Sequence, residues 1–478
     1  MLIRTGLALL LALTPMAAFG MTLDGLVPFQ VVQVNAEGAA VVSLSGSAPD
    51  GAVEVLVNAA DTGGSQESWQ PLATAAGGAY AGDLTLQAGG PYTIAVRSAG
   101  APEDTASVSN VLAGDLWVLA GQSNMQGVGN MKGLPAPHPK VNLLRMNHEW
   151  CLARDPVHIL QESPDPVHGT FESDEARQVA IAGAYGASKG AGLGLPFGIE
   201  MVQRTGRPVG LIAAAHGGTS MAQWDPALKE KGGESLYGSM LAQVAAAGGK
   251  VRGVLWYQGE SDASPEAAPV FAEKFAALVQ AMRDDFGGPD MPFYSVQIGR
   301  FLQPMPRPHW DAIQTLQLAS ESIPRTGVVA SVDLDLDDLI HIGTPGLIRL
   351  GARLANLAER DLFGGTVTAG PRIVSAERVN SPFGNCIRVR LTGANGALRH
   401  EGRLSGFSIA SGPDGEEALE MFKQELDPEN ADAVLLWVQN VPEQPHIWYG
   451  RHADPYCNLT DSADMALPVT GPVRVSTR

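Results

Sequence analysis

The spacing of apolar positions changes along the chain, and each change predicts a different kind of element. Over 21–112 they fall in short bursts at 31–34, 40–44, 53–57 and 92–96, rich in β-branched residues and separated by Gly, Asp and Pro. Partial alternation bounded by turn residues predicts short strands, and several at this spacing predict a small N-terminal β-sandwich-like domain. From 113 the pattern becomes five continuous apolar runs at 115–120, 208–215, 251–257, 292–298 and 327–333. Between or after them the period lengthens. Phe271, Phe275, Leu278, Met282 and Phe286 step by three or four, as do Leu347, Leu350, Leu354 and Leu357. Both sets predict helices with one apolar face, the second capped by Thr344 with Pro345 at its first position.

Strands that alternate with helices predict a parallel α/β sheet covered on both faces, spanning 113–363. Such sheets bind ligands at the carboxyl ends of their strands. Strand-like runs return at 386–391, 433–438 and 446–449, predicting a C-terminal β-rich domain over 364–478. The interval between Gly127 and Pro196 has little periodicity and contains His148, Trp150, His158 and His168. An interval of that length inside a compact domain predicts a functional loop bordering the site.

The first 20 residues have one positive charge at Arg4, a short apolar run from Leu7 to Leu13 and small residues at Ala18 and Gly20. This predicts a cleaved signal peptide and a secreted or periplasmic protein without a membrane anchor; the run is too short to span a bilayer. Length and composition fit this multidomain reading, with 478 residues, 45% of them hydrophobic and 17% charged. A net charge of −18 disfavours nucleic acid and anionic membrane surfaces, which need clustered Lys and Arg. It is compatible with a neutral sugar. Cys151, Cys386 and Cys457 are too few for a disulfide scaffold; one Cys386–Cys457 bridge or three free thiols both fit. No cofactor is implied, and no spacing resembles a zinc site.

Candidate chemistry gathers after the apolar runs. The first run ends in Gly121-Gln-Ser-Asn-Met125, which puts Ser123 just past the end of a strand, where the N–H groups of a following turn face a substrate oxygen. A serine hydroxyl needs a base. Asp338-Leu-Ile-His341 follows the last run, and its three-residue offset lets the carboxylate reach back to the ring. Asp338 would thereby fix the tautomer of His341, leaving the other ring nitrogen for Ser123. The neighbouring Asp333, Asp335 and Asp337 allow a solvated acidic run instead, although alternation with Leu is unlike a calcium loop. Two further loops offer oxyanion donors: the backbone at Gly217 and Gly218, and the side-chain amide of Gln258. Gln122, Asn124, Trp224 and Glu260 are candidate substrate contacts; for Trp224 and Trp256, core packing is the competing reading.

These blocks together resemble the SGNH (GDSL-like) hydrolases. They are Gly121-Gln-Ser-Asn-Met125, Gly217-Gly-Thr219, Trp256-Tyr-Gln-Gly-Glu260 and Asp338-Leu-Ile-His341. Within that superfamily the pattern is similar to the sialate O-acetylesterase and carbohydrate esterase family six branch. Gly90-Pro-Tyr-Thr93, Gly114-Asp-Leu-Trp117 and Asp454-Pro-Tyr-Cys-Asn-Leu459 extend the likeness over most of the chain. The resemblance implies a flavodoxin-like, three-layer α/β domain with a five-stranded parallel sheet. It also implies metal-independent hydrolysis of O-acetyl esters on sugars, with Ser123 as nucleophile, His341 as base and then acid, and Asp338 as its orienting partner. The oxyanion would be held by Ser123, Gly217 or Gly218, and Gln258. Two departures are Ile342 directly after the histidine, where Pro is common, and His216 before the glycine pair. Alternatives are a general lipase- or thioesterase-like acyl esterase and a catalytically silent carbohydrate-binding protein.

Overall fold

The computed structural model describes residues 20–59, 68–303, 307–381, 384–413, 415, 417 and 421–476; apart from Gly20, the expected signal segment lies outside them. The N-terminal part contains strands β1 (Val31–Gln33), β2 (Ala39–Ser47), β3 (Gly51–Ala59), β4 (Gln70–Ala75), β5 (Ala79–Gln87) and β6 (Gly89–Ser98). A much longer strand, β7 (Ala101–Gly121), follows. β2 pairs with β5, while β3 lies between β4 and β6 and β6 pairs with β7. Every second residue points inward: Ala40, Val42 and Leu44 from β2 meet Val53, Val55, Val57, Ile94 and Val96 in one apolar core.

β7 crosses from this core into the next. Its early residues pair with β6, and from Val111 onward every side chain is buried. The division expected between 112 and 113 therefore falls within one continuous strand. Past it, helix α1 (Ser123–Gln126) leads to β8 (Gly129–Asn130), β9 (Val141–Leu144), β10 (Trp150–Leu152), α2 (Asp174–Tyr185), β11 (Lys189–Ala191) and α3 (Gly194–Thr205). Strand and helix then alternate: β12 (Val209–Ala213), α4 (Leu236–Ala246), β13 (Gly253–Tyr257), α5 (Phe271–Met282), β14 (Phe293–Gln297), α6 (Arg307–Ala319), β15 (Thr326–Ala330) and α7 (Thr344–Phe363).

The central sheet runs β10-β9-β12-β7-β13-β14-β15. All five expected strands are present, parallel, in the order second, first, third, fourth, fifth. The expectation of five is nonetheless too small: β9 adds a sixth parallel strand and β10 an antiparallel edge, making the sheet mixed. β9 has four residues, all buried, and its one polar member, Asn142, gives its amide to Phe29 O at 2.7 Å. So short a run carries no period to recognise. The two apolar helix faces are as expected, with Phe271, Phe275, Leu278 and Met282 buried on α5 and Leu347, Leu350, Leu354 and Leu357 on α7. The cap of α7 is Gly343, one residue before the expected Thr344, whose hydroxyl is spent on Asn130 O. On the sheet, Trp117 lies edge-on to Phe197 of α3 and stacks with Tyr294, all three fully buried.

The C-terminal part is strand-rich: β16 (Arg372–Ser381), β17 (Gly384–Thr392), β18 (Leu398–Arg399), β19 (Phe407–Ser411), β20 (Met421–Leu426), β21 (Ala433–Val438), β22 (Pro445–Tyr449), β23 (Thr460–Asp461) and β24 (Thr470–Ser476). Seven form a sheet in the order β19-β22-β24-β16-β17-β21-β20. Its two ends approach, since the Gln424 side chain accepts from Phe407 N at 3.2 Å and donates to Phe407 O at 3.1 Å. The sheet is thus close to a barrel rather than a sandwich. It is tied to the central sheet where Gln297 exchanges two bonds with the Val469 backbone. A second tie is buried: Arg353 on α7 holds Asp333 at 2.6 Å and Asp464 O at 2.7 Å. Cys386 and Cys457 are separate buried thiols, so the disulfide alternative does not hold. Burial pushes the Cys386 thiol up to about 11.

Candidate active site

The site begins with the need to end a buried strand and expose one hydroxyl. Gly121 closes β7 at φ 127°, and a Cβ there would stand 2.3 Å from Tyr257 O. Only glycine lets β7 turn this close to β13. Gln122 caps the following turn, its carbonyl accepting from Met125 N and Gln126 N. Ser123 therefore stands at the carboxyl end of β7, between β12 and β13. As the first residue of α1, its N–H has no partner within the helix.

His341 comes from the loop after β15. That loop is closed by Asp337 N donating to His341 O and by Gly343 N donating to Asp335 O. His341 Nε2 lies 2.9 Å from Ser123 Oγ, and Nδ1 lies 2.9 Å from Asp338 Oδ2. The structure thus brings together all three sequence-identified groups. Asp338 Oδ1 also accepts from Ile340 N and His341 N. Partial burial pushes the Asp338 carboxyl upward, but hydrogen bonds from Lys189, His341 and the two N–H groups outweigh it and hold the group well below the usual carboxylate range. The remaining aspartates separate by role: Asp333 pairs with Arg353, Asp337 accepts from Asn130 N, and Asp335 is fully solvated.

Asn124 braces this arrangement from below. Buried beside Ser123, it accepts from Ile342 N at 3.0 Å and donates to Glu260 at 2.9 Å and weakly to Ile340 O. It therefore grips the chain on both sides of His341. Burial raises the Glu260 carboxyl, an effect opposed by the Asn124 amide.

The oxyanion candidates behave differently from one another. A Cβ on Gly217 would lie 3.4 Å from Ser123 Cβ, so the β12 loop does reach Ser123. Its N–H donates to Gln126 Oε1 at 2.8 Å. Gly218, at φ 70°, is exposed. Gln258 is fully buried, and its amide nitrogen is already engaged by Thr219 O and the Asp262 carboxylate, leaving Oε1 without a partner. In this arrangement it presents no free N–H.

Three of the four expected substrate contacts are buried, and for Trp224 this is the competing core-packing reading. Gln122 accepts from Gly259 N and Ser261 N, Asn124 is the brace just described, and Trp224 is sealed edge-on against Trp256 with its indole N–H on Thr219. They shape the wall from behind. Glu260 is half-buried as a residue, but its carboxylate faces inward, with Oε1 accepting from Asn124 and Oε2 buried without a partner. The long interval after Gly127 does border the site, although its histidines do not reach the triad. His158 lies under α1 against Gln126 O, and burial lowers it to about 4. His168 stacks on His216, with Nδ1 atoms 3.0 Å apart, and burial and that neighbour lower it to about 3. Sequence reasoning missed Gln126 and Lys189. Gln126 was findable, being one turn beyond Ser123 on the same helix face; Lys189 was not.

Comparison with known proteins follows this geometry. The family model for carbohydrate esterases of the sialic acid-specific acetylesterase type matches residues 113–360, over half of the chain. "Probable carbohydrate esterase At4g34215" of Arabidopsis thaliana is 26% identical over 266 residues, 50% of this chain and 88% of that protein. Human sialate O-acetylesterase is 26% identical over 219 residues, which cover 42% of this chain and 41% of the human protein. Among solved structures, the carbohydrate acetylesterase XAC1771 of Xanthomonas citri shares the fold, with a TM-score of 0.64 and 22% identity over 93% of this chain and 98% of that one. The chain belongs to the sialic acid-specific acetylesterase family of carbohydrate esterases.

Proposed function

We propose that the protein is a secreted carbohydrate O-acetylesterase that removes acetyl groups from sugar hydroxyls, on sialate or on a polysaccharide such as xylan, through Ser123, His341 and Asp338. The observation that carries this reading is the unbroken line from Asp338 through both ring nitrogens of His341 to Ser123 Oγ, with both links at 2.9 Å. Ser123 Oγ attacks the acetyl carbonyl carbon while His341 Nε2 takes its proton. The oxyanion is held by Ser123 N–H and by Gly217 N–H, where the substrate oxygen takes the place of Gln126 Oε1. Gly218 stands beside them, and Gln258 contributes by fixing the loop through Thr219 and Asp262. The tetrahedral species expels the sugar oxygen, which receives the proton from His341. Water, deprotonated by the same ring, then releases acetate and restores Ser123. Asp338 keeps the ring in the required tautomer and stabilises its cationic form.

Residues 113–363 form the catalytic unit in this reading, with a flavodoxin-like strand order, between N-terminal (21–112) and C-terminal (364–478) β-rich units. Export rests on the residue pattern of 1–20, and N-terminal sequencing of the mature protein tests it. The substrate class is tested by acetate release from acetylated xylan, O-acetylated sialic acid and other acetylated glycans against longer acyl esters. Acetate release from a glycan is the expected result; preference for long chains favours the lipase-like alternative. Ser123→Ala is expected to lose turnover of an aryl acetate by several orders of magnitude. Full activity in that variant overturns the mechanism.

A further inference from the structure

We propose that Lys189, carried to the site by the long interval between Gly127 and Pro196, is a positioning residue that acts on His341 through Asp338. The proposal rests on the active-site reading above. Lys189 opens β11, which pairs antiparallel with β8. This small ribbon touches the histidine loop at two points and the first residue of α7 at a third. Lys189 Nζ donates to Asp338 Oδ2 at 2.7 Å, Asn130 N donates to Asp337 Oδ2 at 2.8 Å, and Asn130 O accepts from the Thr344 hydroxyl.

The chemistry at the first point differs from that at the other two. Asp338 Oδ2 is the same oxygen that lies 2.9 Å from His341 Nδ1, so ammonium and imidazole share one acceptor. An ammonium there favours the ionised carboxylate and fixes its rotamer. It also draws negative charge away from the ring and repels the protonated imidazole. The pair is half in water, with side chains 38% and 36% exposed, so its contribution to folding is small. Its effect falls on the proton affinity of the relay. Among the described residues, the acids facing His341 are Asp338 and Glu260, with Asp337 on the same loop; Lys189 is the cation set against them. By opposing that acidic surround, Lys189 is expected to set where activity is lost on the acid side of the pH profile.

The test compares wild type, Lys189→Met, Lys189→Arg and Lys189→Glu, each as the full chain. It measures kcat/KM for an aryl acetate against pH, together with thermal unfolding. In Lys189→Met the acid limb is expected to move up by about half a pH unit, the order for a unit charge at this separation in a largely aqueous dielectric. It should move further in Lys189→Glu and stay in place in Lys189→Arg, with unfolding midpoints close together throughout. Acid limbs that superimpose in all four proteins overturn the proposal, whatever happens to kcat. An arginine variant that follows the methionine variant overturns it too. Turnover surviving Ser123→Ala overturns the active-site reading instead, so the two failures are distinct.

Discussion

Gln126 Oε1 accepts the Gly217 N–H at 2.8 Å, so a carbonyl oxygen from the protein itself already fills a donor position beside Ser123. A bound ester has to displace it. Gln126→Ala removes that competitor, and one neutral hydrogen bond is worth about 0.5–1.5 kcal/mol net. We expect kcat/KM for a small acetate ester to rise roughly 2- to 10-fold, mostly through KM. A large fall in kcat would show that the Gln126 amide instead supports the reaction.

Asn124 predicts the opposite outcome. Asn124→Ala leaves the buried Ile342 N–H without an acceptor and frees the loop on both sides of His341. The orphaned group costs about 1–3 kcal/mol of stability. A displaced imidazole should lower kcat on the order of 100-fold. Steady-state kinetics with urea unfolding separate the two effects; unchanged kcat is incompatible with the brace.

Arg353 tests the tie between the central and C-terminal sheets. Arg353→Met leaves buried Asp333 with Arg349 at 3.0 Å as its remaining cation, so the expected cost lies below the about 3–5 kcal/mol of a buried charge left unpaired. The urea midpoint is expected to fall accordingly.

Asp155 makes stability depend on pH. Its Oδ1 accepts from Gly192 N, its Oδ2 is buried without a partner, and burial raises the carboxyl to about 7. The folded state therefore holds a proton that the unfolded chain has lost above about pH 4. Stability falls as pH rises from there to about 7, by on the order of 4 kcal/mol for this group alone. In Asp155→Asn that decline should be absent when unfolding free energies at pH 4.5 and 8 are compared. Equal declines in both proteins reject the assignment.

The features legible in the sequence were those repeated over several turns or fixed by short local spacing. The five long strand runs, the α5 and α7 faces and the Asp338-to-His341 offset are all of this kind. The four residues of β9 have no period, and nothing near Lys189 signals that a three-residue strand will deliver it to Asp338. Gln122 sits in a motif block and Trp224 five residues past one, yet tertiary packing turned both side chains inward. Residue type identified the neighbourhood; burial decided which groups face substrate.

The continuity of β7 also bears on how firmly Ser123 is mounted. Ser123 is seated at the tip of a beam whose root is embedded in the N-terminal core and whose shaft passes through the central one. Such a beam resists both sliding and tilting. Cutting away the first core would leave Val108 and Val111 bare and hold the beam at one end only, loosening the hydroxyl that His341 must meet.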